Sequence, residues 1–229
     1  MAQSATVERI LDAAEMLFAE KGFSETSLRA ITGKAGANLA AVNYHFGSKK
    51  ALIQAVFARY LTPFAVKLNE EAEKYQAASA EKPPTIEMML KTVSYTMADV
   101  ANEYGNGPSV FMRLLGLSYL ESQGHLRKFL EDKYGQSFKR IEALLRQVTP
   151  ELSDVDRFWN WHFMLGAAVF TMAGMNPLRQ MSEHNYDQDT SVDEVVKKLI
   201  PFLAGGLRGA STAASAGAAV ADGVLSENV

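Results

Sequence analysis

The chain has no cysteine. That absence excludes disulfide bonds, thiolate metal ligands and a cysteine nucleophile, and it fits a reducing compartment. The four histidines, His45, His125, His162 and His184, do not fall at a metal-ligand spacing such as H-E-x-x-H. Glycine-rich phosphate loops, dinucleotide fingerprints and nucleophile elbows are missing as well, so no cofactor is expected and the chain does not read as an enzyme. Apolar–polar alternation between turns, the mark of half-buried strands, is not found. The first residues carry no basic segment leading into an apolar one, so no secretory signal is expected and a cytoplasmic protein is.

Long apolar runs are scarce too. Residues 158–178 carry no formal charge and approach the length of a membrane span, but Asn160, His162, Thr171, Asn176 and Pro177 interrupt them. A helix buried on most sides is expected there, and no membrane partner.

One absence is local. The net charge is −3, but the first 60 residues hold seven basic and five acidic groups, and no carboxylate lies between Glu25 and Glu70. Arg29, Lys34, Lys49, Lys50, Arg59 and Lys67 sit in that gap. A small basic head on an acidic body suits a phosphate-bearing partner. An adaptor that binds only protein would not need such a stretch.

What is present is helical. The 229 residues are 48% hydrophobic, enough for a sizeable core and too many for a disordered chain. Val7, Ile10, Leu11, Ala14, Leu17 and Phe18 recur at helical spacing, and Gly22 is a stop. Thr26 or Ser27 can cap a second helix that ends at Gly36, and Asn38 a third that runs through His45. Ser48 can cap a long fourth helix, with a kink or break expected at Pro63. Pro83–Pro84 marks a linker. Five more helices follow: one around residues 86–100, one opened by Pro108, one over 126–145, one from Ser153 to Pro177, and one from Ser191 with Pro201 inside it. From about residue 211 the Ala-, Gly- and Ser-rich sequence reads as a flexible tail. The expectation is an all-α chain of about nine helices: residues 1–50 a helix-turn-helix head, 51–210 a helical ligand-binding and dimerisation domain, 211–229 a tail.

The third helix carries the candidate interface. Ala41 and Val42 would face inward onto Ile31 and Phe18, leaving Leu39, Ala40, Asn43 and Tyr44 outward. Asn43 can donate and accept on a base edge, and Leu39 or Ala40 can meet a thymine methyl. Tyr44, His45, Thr26 and Ser27 can donate to phosphates. Arg29, Lys34, Asn38 and Lys49 complete the expected DNA-binding set.

Residues 26–57, TSLRAITGKAGANLAAVNYHFGSKKALIQAVF, resemble the DNA-binding head of the TetR family of bacterial regulators. The Thr–Ser start, the Ala–Gly turn, Tyr44–His45–Phe46 and Ser48–Lys49 with Leu52 carry the likeness. It implies a homodimer of nine-helix subunits, joined through the last two helices. Each head binds double-stranded operator DNA, and a small effector held by the C-terminal domain weakens that binding. FMRLLGL from Phe111, SQGHLRKFLE from Ser122 and HFMLGAA from His162 are further similar to the fatty-acid-responsive, PsrA-type branch of the family in pseudomonads. That likeness implies a long-chain fatty acid or its coenzyme A ester as effector, with fatty-acid metabolism genes as targets. Met88, Met97, Phe111, Met112, Tyr119, Phe163 and Met164 are candidates to line an acyl slot, and Arg113 to clamp its carboxylate. The alternatives are a regulator of efflux or another pathway with a different amphipathic ligand, or a helical acyl-binding enzyme.

Overall fold

The computed structural model describes residues 2–78, 84–121 and 123–226. Among them are ten helices and no strand: α1 (Ala2–Glu25), α2 (Leu28–Ala35), α3 (Leu39–Phe46), α4 (Lys49–Ala78), α5 (Ile86–Tyr104), α6 (Pro108–Leu120), α7 (Gly124–Val148), α8 (Asp154–Ala173), α9 (Met175–Tyr186) and α10 (Val192–Ser226). Several of the helices start where short polar side chains satisfy the free amides of a first turn. Ser27 Oγ accepts from Ala30 N at 3.1 Å, Asn38 Oδ1 from Ala41 N at 2.8 Å, and Ser48 Oγ from Ala51 N at 3.1 Å. Ser191 and Glu194 form a reciprocal capping box at the start of α10. Pro108 opens α6, where a missing N–H costs nothing.

Three expectations are corrected. The single helix expected from Ser153 to Pro177 is two, divided at Gly174. Pro177 does not end a helix; it lies in the first turn of α9, where amides have no intrahelical acceptor in any case. Neither Pro63 nor Pro201 breaks its helix. Each removes one backbone bond, while buried neighbours on both sides (Tyr60, Leu61 and Phe64; Ile200, Leu203 and Ala204) keep the two halves packed. Helix α10 also continues from residue 211 to Ser226, through the stretch read as a flexible tail, where frequent alanine favours helix. Pro83 and residues 227–229 lie outside the described residues.

Gly22 does act as a stop. It interrupts the run of α1 with φ 83° and ψ 167°, a region open essentially to glycine alone. The chain then turns so that Phe23 packs on Phe18 at 5.4 Å and on Phe57 of α4 at 6.2 Å. Phe57 meets Phe111 of α6 at 6.3 Å, and Tyr60 meets it at 4.6 Å. One continuous apolar core therefore runs from the head into the body.

Beside this ladder sits a buried polar node. Glu15 of α1 is fully buried. Its carboxylate accepts from Arg59 Nη1 (2.8 Å), Tyr60 Oη (2.8 Å), Asn106 Nδ2 (2.5 Å) and Asn106 N (3.2 Å). Burial opposes the Arg59 charge, but Asp12 and Glu15 outweigh it and hold the guanidinium above its ordinary pKa. Burial first, and the Glu15 charge second, push the Tyr60 phenol well above its usual range.

By length and composition the described segment apolar enough to cross a membrane is Lys49–Lys74 of α4, not residues 158–178. It is the helix that carries the head onto the body, and 44% of that window is buried inside the fold.

Glu15→Ala removes the shared acceptor of Arg59, the buried Tyr60 and Asn106, and a loss of about 3 kcal/mol in urea unfolding is expected. Stability should also fall above roughly pH 10, because the unfolded Tyr60 ionises there while the folded phenol holds its proton. Tyr60→Phe should make that alkaline decline shallower in pH-dependent melts.

Candidate nucleic-acid interface

Helices α2 and α3 are eight residues each and meet at Gly36, whose left-handed φ of 58° and ψ of 37° permits the tight turn. Ile31 and Val42 are both fully buried, so the two helices are fixed on α1 through their inner faces. This orientation leaves Leu39, Ala40, Asn43 and Tyr44 pointing outward, the arrangement expected from the sequence. Tyr44 is 75% exposed, and its ring stands edge-on to His45 at 5.0 Å. A short helix whose outward face carries Leu39 and the small Ala40 ahead of the Asn43 amide and the Tyr44 phenol can enter a major groove closely.

The flanking cations are fewer than the sequence suggests. Arg59 is turned inward to Glu8, Asp12 and Glu15, at 3.0, 2.7 and 2.8 Å, and Lys67 pairs with Glu103 at 3.1 Å. Arg29, Lys34 and Lys50 are exposed. Lys49 stands at the start of α4 and donates to Ser24 O at 3.1 Å, so it ties α4 to the end of α1. Ser27 and Asn38 are exposed caps whose acceptor atoms already face their own helix amides.

Thr26 is a correction. It is buried, and its hydroxyl donates to Leu17 O (3.0 Å) and Gly22 O (2.8 Å), fastening the α1 end rather than reaching for phosphate. A residue passed over in the sequence reading is Arg9. Its guanidinium reaches the α2–α3 turn, where Nη1 lies 3.6 Å from the place a Gly36 side chain would begin. Arg9 belongs to α1, outside the carboxylate-free run, so charge spacing gave no signal for it.

The expected effector residues do not converge on one slot. Phe111 packs against α4 at the junction with the head. Met97 and Met164 are buried in the core, and Met88 and Met112 are half-buried. Arg113 donates to Ala173 O at 3.0 Å, capping the end of α8 rather than facing an apolar cavity. Tyr119 and Phe163 are 58% and 64% exposed, so both are corrected as slot-lining residues. Phe163 instead joins Val155, Trp159 and Phe170 on an outward apolar stripe of α8, with Phe202 exposed on α10. The four α8 residues recur at helical spacing, so they share one face.

Concave space occurs elsewhere on the body. A depression of about 240 Å³ lies among α8, α9 and α10, with Met175, Leu178, Val195, Arg179 and Lys198 in its lining. It falls short of the roughly 300 Å³ at which small-molecule sites begin.

Two family models match the chain. Residues 10–56 match bacterial regulatory proteins of the tetR family, and residues 94–206 match the tetracyclin repressor-like C-terminal domain. The probable HTH-type transcriptional regulator YttP of Bacillus subtilis (strain 168) is 29% identical over 90 residues. That match spans 39% of this chain and 43% of the relative. Among solved structures, the TetR-family regulator PfmR of Thermus thermophilus aligns over 87% of this chain and 97% of its own, with TM-score 0.54 and 17% identity. The fatty acid degradation regulator FadR of Bacillus halodurans aligns over 89% and 96%, with TM-score 0.52 and 18% identity. These structural likenesses speak to the fold. With a tetR-type helix-turn-helix at one end and a repressor-like helical domain at the other, the chain belongs to the TetR family of transcriptional regulators.

Proposed function

We propose that the protein is a cytoplasmic repressor that grips operator DNA as a homodimer and lets go when its body takes up an apolar effector. The observation that carries the DNA reading is the outer face of α3. Leu39, Ala40, Asn43 and Tyr44 stand exposed over a buried Val42, in a head whose sequence has no carboxylate between Glu25 and Glu70. Asn43 is suited to adenine, Leu39 and Ala40 to a thymine methyl, and Tyr44 and His45 to phosphate. Arg29, Lys34 and Arg9 supply the sequence-independent attraction.

The homodimer reading rests on the α8 stripe. Val155, Trp159, Phe163 and Phe170 form an apolar face too large to leave in water, and Phe202 of α10 adds to it. Pairing two copies through α8 and α10 would bury it and place two recognition helices about 34–36 Å apart, or a multiple of that, as successive major grooves require.

For the effector, a long-chain fatty acid or its coenzyme A ester is favoured. The support is the resemblance read in the segments at Phe111, Ser122 and His162, together with a solved structure of the same fold that is a fatty acid degradation regulator. The methionines buried or half-buried on α5, α6 and α8 can repack around an acyl chain, so the slot would open with the ligand rather than precede it. A preference of a few kcal/mol for the non-DNA state is enough to release the operator.

The experiment is a fluorescence-anisotropy titration against operator DNA selected from a random pool. Asn43→Ala should cost about 1–3 kcal/mol and relax the preference at one base position, and Tyr44→Ala should remove most of the affinity. Oleate or oleoyl-coenzyme A should release the complex; a chain indifferent to both would remove the fatty-acid reading and leave DNA binding intact. For the dimer, Phe163→Glu with Phe170→Glu should yield a folded monomer by light scattering. A persistent dimer would show that the interface lies elsewhere.

A further inference from the structure

Helix α6 is bonded to α1 at both of its ends. At its far end, Glu121 closes α6 by donating its own N–H to Leu117 O at 2.8 Å. Its carboxylate then leaves the body and grips the last turn of α1, just past the interruption at Gly22. Oε1 accepts from Phe23 N at 2.9 Å, and Oε2 accepts from Ser24 N at 3.1 Å and Ser24 Oγ at 3.0 Å. Room for this contact depends on Gly22, because a side chain there would begin 2.5 Å from Glu121 Oε1. The same turn is held from the other side by Lys49 of α4, through Ser24 O.

At the near end, Asn106 stands just before α6. Its backbone and side-chain amides both donate to the buried Glu15 of α1. Two carboxylates, Glu15 within α1 and Glu121 just past the end of α6, therefore receive hydrogen bonds across the α1–α6 contact at its opposite ends. Charge-assisted bonds of this kind are strong and directional, and two of them remove rotation as well as sliding.

The opposite side of α6 is different. It meets α8 through Gly116, close enough that a side chain there would press on Val169, through the edge-on rings of Tyr119 and His162 at 6.0 Å, and, among the described residues, through a hydrogen bond from Arg113 to Ala173 O. Close small-residue packing with few polar ties is the kind of interface that shears.

We propose that Glu121 and Asn106 clamp α6 to the head, so that α6, α1 and the recognition helices move as one body, and the joint that yields is the α6–α8 contact. Resting on the DNA-binding reading, this makes Glu121 a positioning residue. It touches no DNA, yet it fixes where the end of α1, and with it α3, stands relative to α8. Any ligand that shifts α6 along α8 would carry the head with it.

The absence of cysteine allows a direct test. Cysteines placed at exposed Ala30 in the head and exposed Gln136 in α7 take spin labels whose separation is read by pulsed electron resonance in the full chain, without DNA. With the labelled chain diluted in an excess of unlabelled chain, so that each dimer carries at most one labelled protomer, the parent should give a narrow distance distribution. Glu121→Ala should broaden it while the melting temperature stays close to the parent's. Operator affinity should fall about tenfold, and the preference for one half-site spacing over spacings changed by a base pair or two should flatten. Should the alanine variant not fold, Glu121→Gln serves: it keeps the size but turns an amide N–H toward a backbone donor, and the same broadening is expected to a lesser degree. A folded variant with an unchanged distance distribution and an intact spacing preference overturns the clamp. A parent chain that binds no DNA would refute the DNA-binding reading instead, and the label distances alone would then decide the clamp.

Discussion

A carboxylate with no access to water must find its donors inside the protein, and Glu15 finds them on two other elements. Arg59 and Tyr60 come from α4, and Asn106 comes from the turn before α6. The head cannot tilt away from the body without exposing some of these groups and leaving others buried and unpaired, which is costly in a low-dielectric interior. The aromatic ladder Phe18–Phe23–Phe57–Phe111 runs beside the node and contributes area without direction. Packing holds the parts together; the buried carboxylate fixes how they are oriented.

The orientation matters because α3 is short. An eight-residue helix presents only a few side chains to a groove, so its use depends on where it is held. Charge reinforces this division of labour. Arg59 and Lys67, cations in the head's carboxylate-free run, are engaged internally and join α1 to α4 and α4 to α5, while Arg29, Lys34 and Lys50 remain outward. The basic face is narrower than a count of cations implies, and part of the apparent positive charge is structural.

In the body, the expected slot residues are divided among core, surface and the junction with the head. Met97 and Met164 fill the core, Phe111 belongs to the junction ladder, Arg113 closes α8, and Phe163 faces outward. Adaptable methionines in the core and a small-residue contact between α6 and α8 are consistent with a ligand site that forms by displacement of helices. The joint between α6 and α8 and the clamp between α6 and α1 would then divide the work, one yielding and the other transmitting.

By itself the sequence determined the helical class, the caps, the stop at Gly22, the turn at Gly36 and the outward face of α3. These depend on interactions within a few residues: a serine or asparagine oxygen with an amide three positions on, a glycine where φ is positive, apolar side chains at helical spacing. Only the tertiary structure decided that Thr26 turns inward, that Arg59 and Glu15 meet 44 residues apart, that Pro63 leaves α4 whole, and that Glu121 reaches 98 residues back to Phe23. A periodic pattern shows that a helix has an apolar side but not which neighbour covers it, so Phe163 and Met164, adjacent in sequence and alike in chemistry, could not be told apart until α8 was packed against α6. Distance along the chain hides such pairings, because they are set by how helices cross rather than by what precedes or follows a residue.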